Sequence, residues 1–82
     1  MASLPLEYDC KTVHASPLLF LLFQVSWIRS RDLRILSIGE VRYTRDSRFT
    51  PLHDAGNDVW ALKIADAEMA DSGEYECQVS ER

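Results

Sequence analysis

An 82-residue chain that is 46% apolar and 27% charged, with three glycines and three prolines, has the composition of neither a disordered nor a fibrous protein. It holds at most one domain, and a domain this short buries only about 60–65% of its unfolded surface, so a covalent staple would matter. A formal charge of −4 argues against nucleic acid as the main partner.

In chain order, the first dense apolar run is SPLLFLLF at 16–23. It falls short of the about 18–20 apolar residues of a membrane span. It is also a poor signal peptide: Glu7 and Asp9 stand where positive charge is expected, and no small-x-small cleavage site follows. From residue 25 the pattern is all-β, short period-two runs broken by turn residues. VSWIR (25–29) reads as a strand with Val25, Trp27 and Arg29 on one face and Ser26 and Ile28 on the other. RILSI (34–38) is the second, closed by Gly39, and EVRYT (40–44) the third, with Val41 and Tyr43 sharing a face. RFTPLH (48–53) is the fourth, confined to a sheet edge because Pro51 has no N–H to donate. DAGND (54–58) is a turn. VWALKI (59–64) is the fifth strand, with Trp60, Leu62 and Ile64 alternating against Ala61 and Lys63. GEYECQV (73–79) is the sixth, with Gly73, Tyr75, Cys77 and Val79 inward, and ADAEMADS (65–72) makes a short helical turn before it. Six short strands without a helical period predict a sandwich.

Charge is uneven along the chain. Residues 29–48 hold six Arg against Asp32, Glu40 and Asp46, a balance of +3; residues 54–77 hold seven acids against Lys63, a balance of −6. Alternating solvated strand faces account for this more simply than a basic docking patch.

Little here suggests chemistry. The two cysteines lie 67 residues apart (77 − 10), which excludes a CxxC metal or redox site and fits a single disulfide in an oxidising compartment. His14 and His53 are isolated, and no HExxH, GxSxG, P-loop or GxGxxG occurs. His53 and Asp54 are neighbours, so on a strand their side chains point apart. No catalytic residue, metal ligand or cofactor is expected. The only Asn, Asn57, is followed by Asp-Val and makes no glycosylation sequon.

The spacing Asp71-x-Gly73-x-Tyr75-x-Cys77 is that of the strand that pins a variable-type immunoglobulin sandwich. Trp27, Leu62, Ile64, Tyr75 and Cys77 then form its core set. Trp27 packs on the disulfide, and Tyr75, two residues before Cys77, is placed to bond nearby backbone through its hydroxyl. Arg48 and Asp71 are placed to close the bottom of the barrel as a partly buried, bidentate ion pair.

Three segments make the reading more specific. VSWIRSRDLRILSIG, YTRDSRF and YECQVS resemble the first immunoglobulin domain of the Dpr (defective proboscis extension response) family of arthropod neuronal surface receptors, over roughly residues 25–80. The resemblance implies cell-surface recognition: such receptors use the face of strands C, C′, C″, F and G to bind a sister family of immunoglobulin receptors, the Dpr-interacting proteins, in wiring and synapse formation. Carried over by position, the partner-binding candidates are Ile28, Ile35, Ile38, Tyr43 and Gln78. Residues three apart on a regular strand face opposite sides, so Ile35 and Ile38 compete for a place on that face.

The departures lie at the ends. The family has a Cys about a dozen residues before the Trp, whereas Cys10 precedes Trp27 by 17; it also continues past QVS with a G strand and further domains. SPLLFLLFQ can be written in pyrimidine-rich codons ending in CAG, like the 3′ end of an intron. Residues 1–24 are therefore expected to be atypical or read-through sequence, and 25–82 a partial, truncated variable-type domain whose strands A, B and G are missing or atypical. The Cys10–Cys77 bridge is then expected to be absent. The competing reading makes LEYDCKT a real strand B with Tyr8, Cys10 and Thr12 inward. In function, the rivals of a receptor module are a structural or secreted immunoglobulin module without a partner, and a fragment that does not fold alone.

Overall fold

The computed structural model describes residues 5–11, 23–53 and 59–81. Thr12, His14, residues 16–22 of the apolar run and the 54–58 turn lie outside them.

Seven strands are described: β1 (Leu6–Lys11), β2 (Phe23–Arg29), β3 (Arg34–Ile38), β4 (Val41–Arg42), β5 (Phe49–His53), β6 (Val59–Ile64) and β7 (Tyr75–Glu81), with one 3-10 turn at Met69–Asp71. They form two antiparallel sheets, one in the order β1-β6-β5 and the other in the order β4-β3-β2-β7. The fold is an all-β immunoglobulin-like sandwich.

Period-two alternation builds the core. Val25 and Trp27 from β2, Phe49 from β5 and Trp60, Leu62 and Ile64 from β6 are all buried, with Leu36 and Cys10 among them. Tyr8, Ala67, Tyr75 and Cys77 pack against this cluster from its margin. Pro51 sits in β5, an edge strand, where a missing N–H costs no ladder bond.

Several boundaries differ from the sequence reading. β2 starts at Phe23, so that Phe23 and Gln24 pair with Glu81 and Ser80 of β7. β4 is only two residues long, and Tyr43 lies beyond it. β7 begins at Tyr75 rather than at Gly73, which is exposed, and Val79 is 50% exposed although it pairs with buried Val25. The exposure of Val79 comes from β7 standing at the edge of its sheet.

The principal correction concerns Cys10. It is bonded to Cys77, with Cα atoms 6.3 Å apart, and joins the two sheets. The length of chain between Cys10 and Trp27 does not decide this; strand register does. Leu6, Tyr8 and Cys10 alternate on β1, Cys10 pairs with Trp60 on β6, and Trp27 pairs with Cys77 on β2–β7. These pairings aim both sulfurs into the core at a separation a disulfide can span.

The β3–β4 hairpin turns on Gly39 and Glu40, with Ile38 opposite Val41. Gly39 takes φ +60°, as the first position of a two-residue hairpin loop requires. A Cβ there would also meet Gln24 Oε1 at 2.9 Å. Gly39→Ala is expected to cost about 1–2 kcal/mol, lowering the melting temperature by roughly 4–8 °C per kcal/mol in a domain this small. Gly39→Asn, which tolerates the left-handed region better, should lose less in the same melt.

Candidate functional site

The face of the β4-β3-β2-β7 sheet that points away from the core is set by one irregularity. Ser26 pairs with Ile38 and Trp27 with Ser37, but Ile28 pairs with Ile35, leaving Leu36 as an extra residue on β3. This is a β-bulge, and it shifts the side-chain phase of the strand by one. Leu36 and Ser37 therefore both turn into the core, at 1% and 0% exposure. Ile35 and Ile38 then share the outer face with Ser26 and Ile28, which a regular strand would forbid. The Leu36 carbonyl accepts bonds from the amides of both Tyr43 (2.9 Å) and Thr44 (3.3 Å), so the chain leaves the sheet edge beside the bulge.

Register places Val41 opposite Ile38, Gln78 opposite Ser26 and Glu76 opposite Ile28 on this same face. Its apolar centre is exposed at Ile35 (47%) and Val41 (62%) and half-buried at Ile28 and Ile38. Tyr43, 60% exposed, borders a depression shared with Arg29, Asp32, Arg34, Ile35, Thr44 and Arg45. Sequence reasoning missed the depression and the bulge, since nothing in RILSI marks Leu36 as the extra residue. The side chain of Arg29 grips Asp32 through two bonds of 3.0 and 2.9 Å, and Asp32 also accepts the Arg34 amide. This clamp holds the β2–β3 turn and keeps the Asp32 carboxyl below the usual carboxylate range.

The lower end of the sandwich is fastened separately. Arg48 Nη1 lies 2.6 Å from Asp71 Oδ2, and Arg48 Nη2 donates to Asp71 Oδ1 at 3.0 Å. The same guanidinium donates to both oxygens of Asp46 and to the Asp66 carbonyl. Asp71 is buried and also accepts the Glu68 amide at 2.7 Å. Tyr75 Oη donates to the Asp71 carbonyl at 2.6 Å, and Arg31 Nη1 donates to the Ala70 carbonyl. Arg48 holds the Asp71 and Asp46 carboxyls below their ordinary range, and burial pushes the Tyr75 hydroxyl up. Arg48 itself is raised, Asp71 contributing most.

No protein-family model matches the chain. The Caenorhabditis elegans "Zwei Ig domain protein zig-8" is 32% identical over 59 residues, 72% of this chain and 22% of the worm protein, so the chain spans about a fifth of that relative's length. A chain of the crystal structure of Dpr1 IG1 bound to DIP-eta IG1 superimposes with a TM-score of 0.80 at 36% identity, covering 95% of this chain and 69% of the other. One from the complex of Dpr2 Ig1-Ig2 with DIP-Theta Ig1-Ig3 gives 0.82 at 37% identity, covering 95% and 33%. The bridge between the sheets, the tyrosine bonded to the turn before its strand and these likenesses agree, and the chain belongs to the Dpr-like family of immunoglobulin domains.

Proposed function

We propose that this chain is the recognition domain of a Dpr-like cell-surface receptor, and that the outer face of its β4-β3-β2-β7 sheet docks onto the immunoglobulin domain of a partner receptor of the DIP type. Neuronal wiring and synapse organisation, outside the cell, are the setting. The observation that supports this most is the bulge at Leu36, which turns both Ile35 and Ile38 outward beside Ile28 and Val41. A strand that shows two isoleucines to solvent has a use for them. Tyr43 extends the apolar strip, carrying large area with little rotamer entropy and a hydroxyl for the wet rim. Gln78, exposed on β7, serves as a polar contact at the opposite flank.

Tyr43→Asp is the direct test. It sets a charge in a desolvated contact and should weaken binding to DIP-type first immunoglobulin domains, such as that of DIP-eta, by about tenfold or more. Because Tyr43 is mostly exposed, the melting temperature should hold within the range of ordinary surface substitutions. Unchanged binding would remove the face from the proposal, and lost folding would make Tyr43 structural.

A further inference from the structure

We propose, resting on the docking reading above, that the depression bounded by Arg34 and Arg45 selects the partner by charge: it takes an acidic side chain, Asp or Glu, from the partner's immunoglobulin domain. Four charged residues line the depression, and two of them, Arg29 and Asp32, are engaged with each other. Arg34 and Arg45 are left as its uncompensated charge. Both are exposed, and neither makes an ion pair among the described residues. The carboxylates nearest to them in sequence are already taken. Asp32, two residues before Arg34, receives two bonds from Arg29. Asp46, next to Arg45, receives two from Arg48 at 3.1 and 2.9 Å.

The backbone beneath both arginines is anchored. The Arg34 amide donates to Asp32 Oδ1 at 3.3 Å. Arg45 stands between Thr44, whose amide donates to the Leu36 carbonyl, and Asp46, whose amide donates to Thr44 Oγ1 at 3.2 Å. Only side chains remain to be ordered on binding, which limits the entropic cost of a contact there. The depression shares Ile35 and Tyr43 with the apolar strip, so a domain docked on the strip also covers the arginines. Taking two cations out of water costs free energy unless they meet an anion. A carboxylate suits them because a guanidinium fork engages both its oxygens. A partner with Lys or Arg at that place would set like charges together and be rejected. The net charge of −4 disfavours a polyanionic glycan at the same arginines.

The test measures binding of the full 82-residue chain to DIP-eta IG1 and to DIP-Theta Ig1-Ig3. It is run at about 0.1 M and about 1 M salt, between which the screening length falls from about 10 to about 3 Å. Arg34→Glu with Arg45→Glu should weaken binding by about tenfold or more at the lower salt, with the melting temperature unchanged because both sites are exposed. If that reversal disturbs folding, Arg34→Gln with Arg45→Gln should weaken binding less, and its deficit should shrink at the higher salt. Replacing the exposed acids of the bound partner's docking face with Lys, one at a time, should yield one variant that restores binding to the reversed chain. Binding indifferent to both arginines, or no rescue by any partner variant, overturns the proposal. Heparin held through Arg34 and Arg45, with partner binding indifferent to them, also overturns it. Val41→Asp, on the apolar strip outside the depression, separates the two readings. If it abolishes binding while the arginine changes leave binding intact, the docking reading stands and the acid alone falls. If neither change matters, or the chain binds neither domain, both fall.

Discussion

Removing the Cys10–Cys77 bridge is expected to cost about 2–5 kcal/mol and to abolish folding near about 37 °C. The bridge closes a span of 67 residues, and in the chain-entropy account so long a loop approaches about 4 kcal/mol. A domain of this length has a total stability of only about 4–12 kcal/mol, so the loss takes a large share. Cys10 and Cys77 also lie against Trp60 and Trp27, their strand partners, where reduction would leave two thiols in place of one bond. Urea and thermal melts of the oxidised chain, the reduced chain and the Cys10→Ala, Cys77→Ala double variant measure this. A midpoint that does not move would show that packing alone holds the sheets together.

The second large effect is expected at Asp71. Its carboxylate takes two bonds from Arg48 and one from the Glu68 amide while almost wholly buried. Asp71→Ala leaves a partly buried guanidinium with Asp46 and the Asp66 carbonyl and should cost about 3 kcal/mol, the lower end for breaking a buried pair. The pH dependence carries a distinct signature. Because Arg48 lowers the Asp71 pKa in the folded state, the stabilisation is complete above the unfolded value of about 3.9. It is lost as pH falls through the depressed folded value. Asp71→Asn should flatten the acid limb of a plot of melting temperature against pH, with a residual slope from Asp46 and Asp32, whose carboxyls are lowered in the same direction. An acid limb as steep in the variant as in the wild type would assign acid sensitivity elsewhere.

What the sequence made legible follows from what local chemistry can encode. Alternation alone placed Trp27, Leu62 and Ile64 inward, because a half-buried strand writes its faces at every second residue. Tyr75 and Asp71 were visible as one motif, being only four residues apart. The 17 residues between Cys10 and Trp27 do not reveal the place of Cys10, which is fixed by pairing with Trp60, 50 residues away (60 − 10). The bulge left no trace either. Ile35, Leu36 and Ile38 are similar in apolar character, and which of them turns outward is set by the bulge, where the Leu36 carbonyl accepts the amides of Tyr43 and Thr44. No periodicity within one strand reports a bond made from another segment.

That last dependence bears on how such a domain can diverge. The display of positions 28, 35, 38 and 41 is fixed by backbone bonds and register, to which any residue except proline at 43 or 44 contributes equally. Side chains on the outer face can therefore drift without disturbing the scaffold that presents them. A few substitutions there would change the chemistry the face presents, while the buried Leu36 and the bonds at its carbonyl keep its geometry.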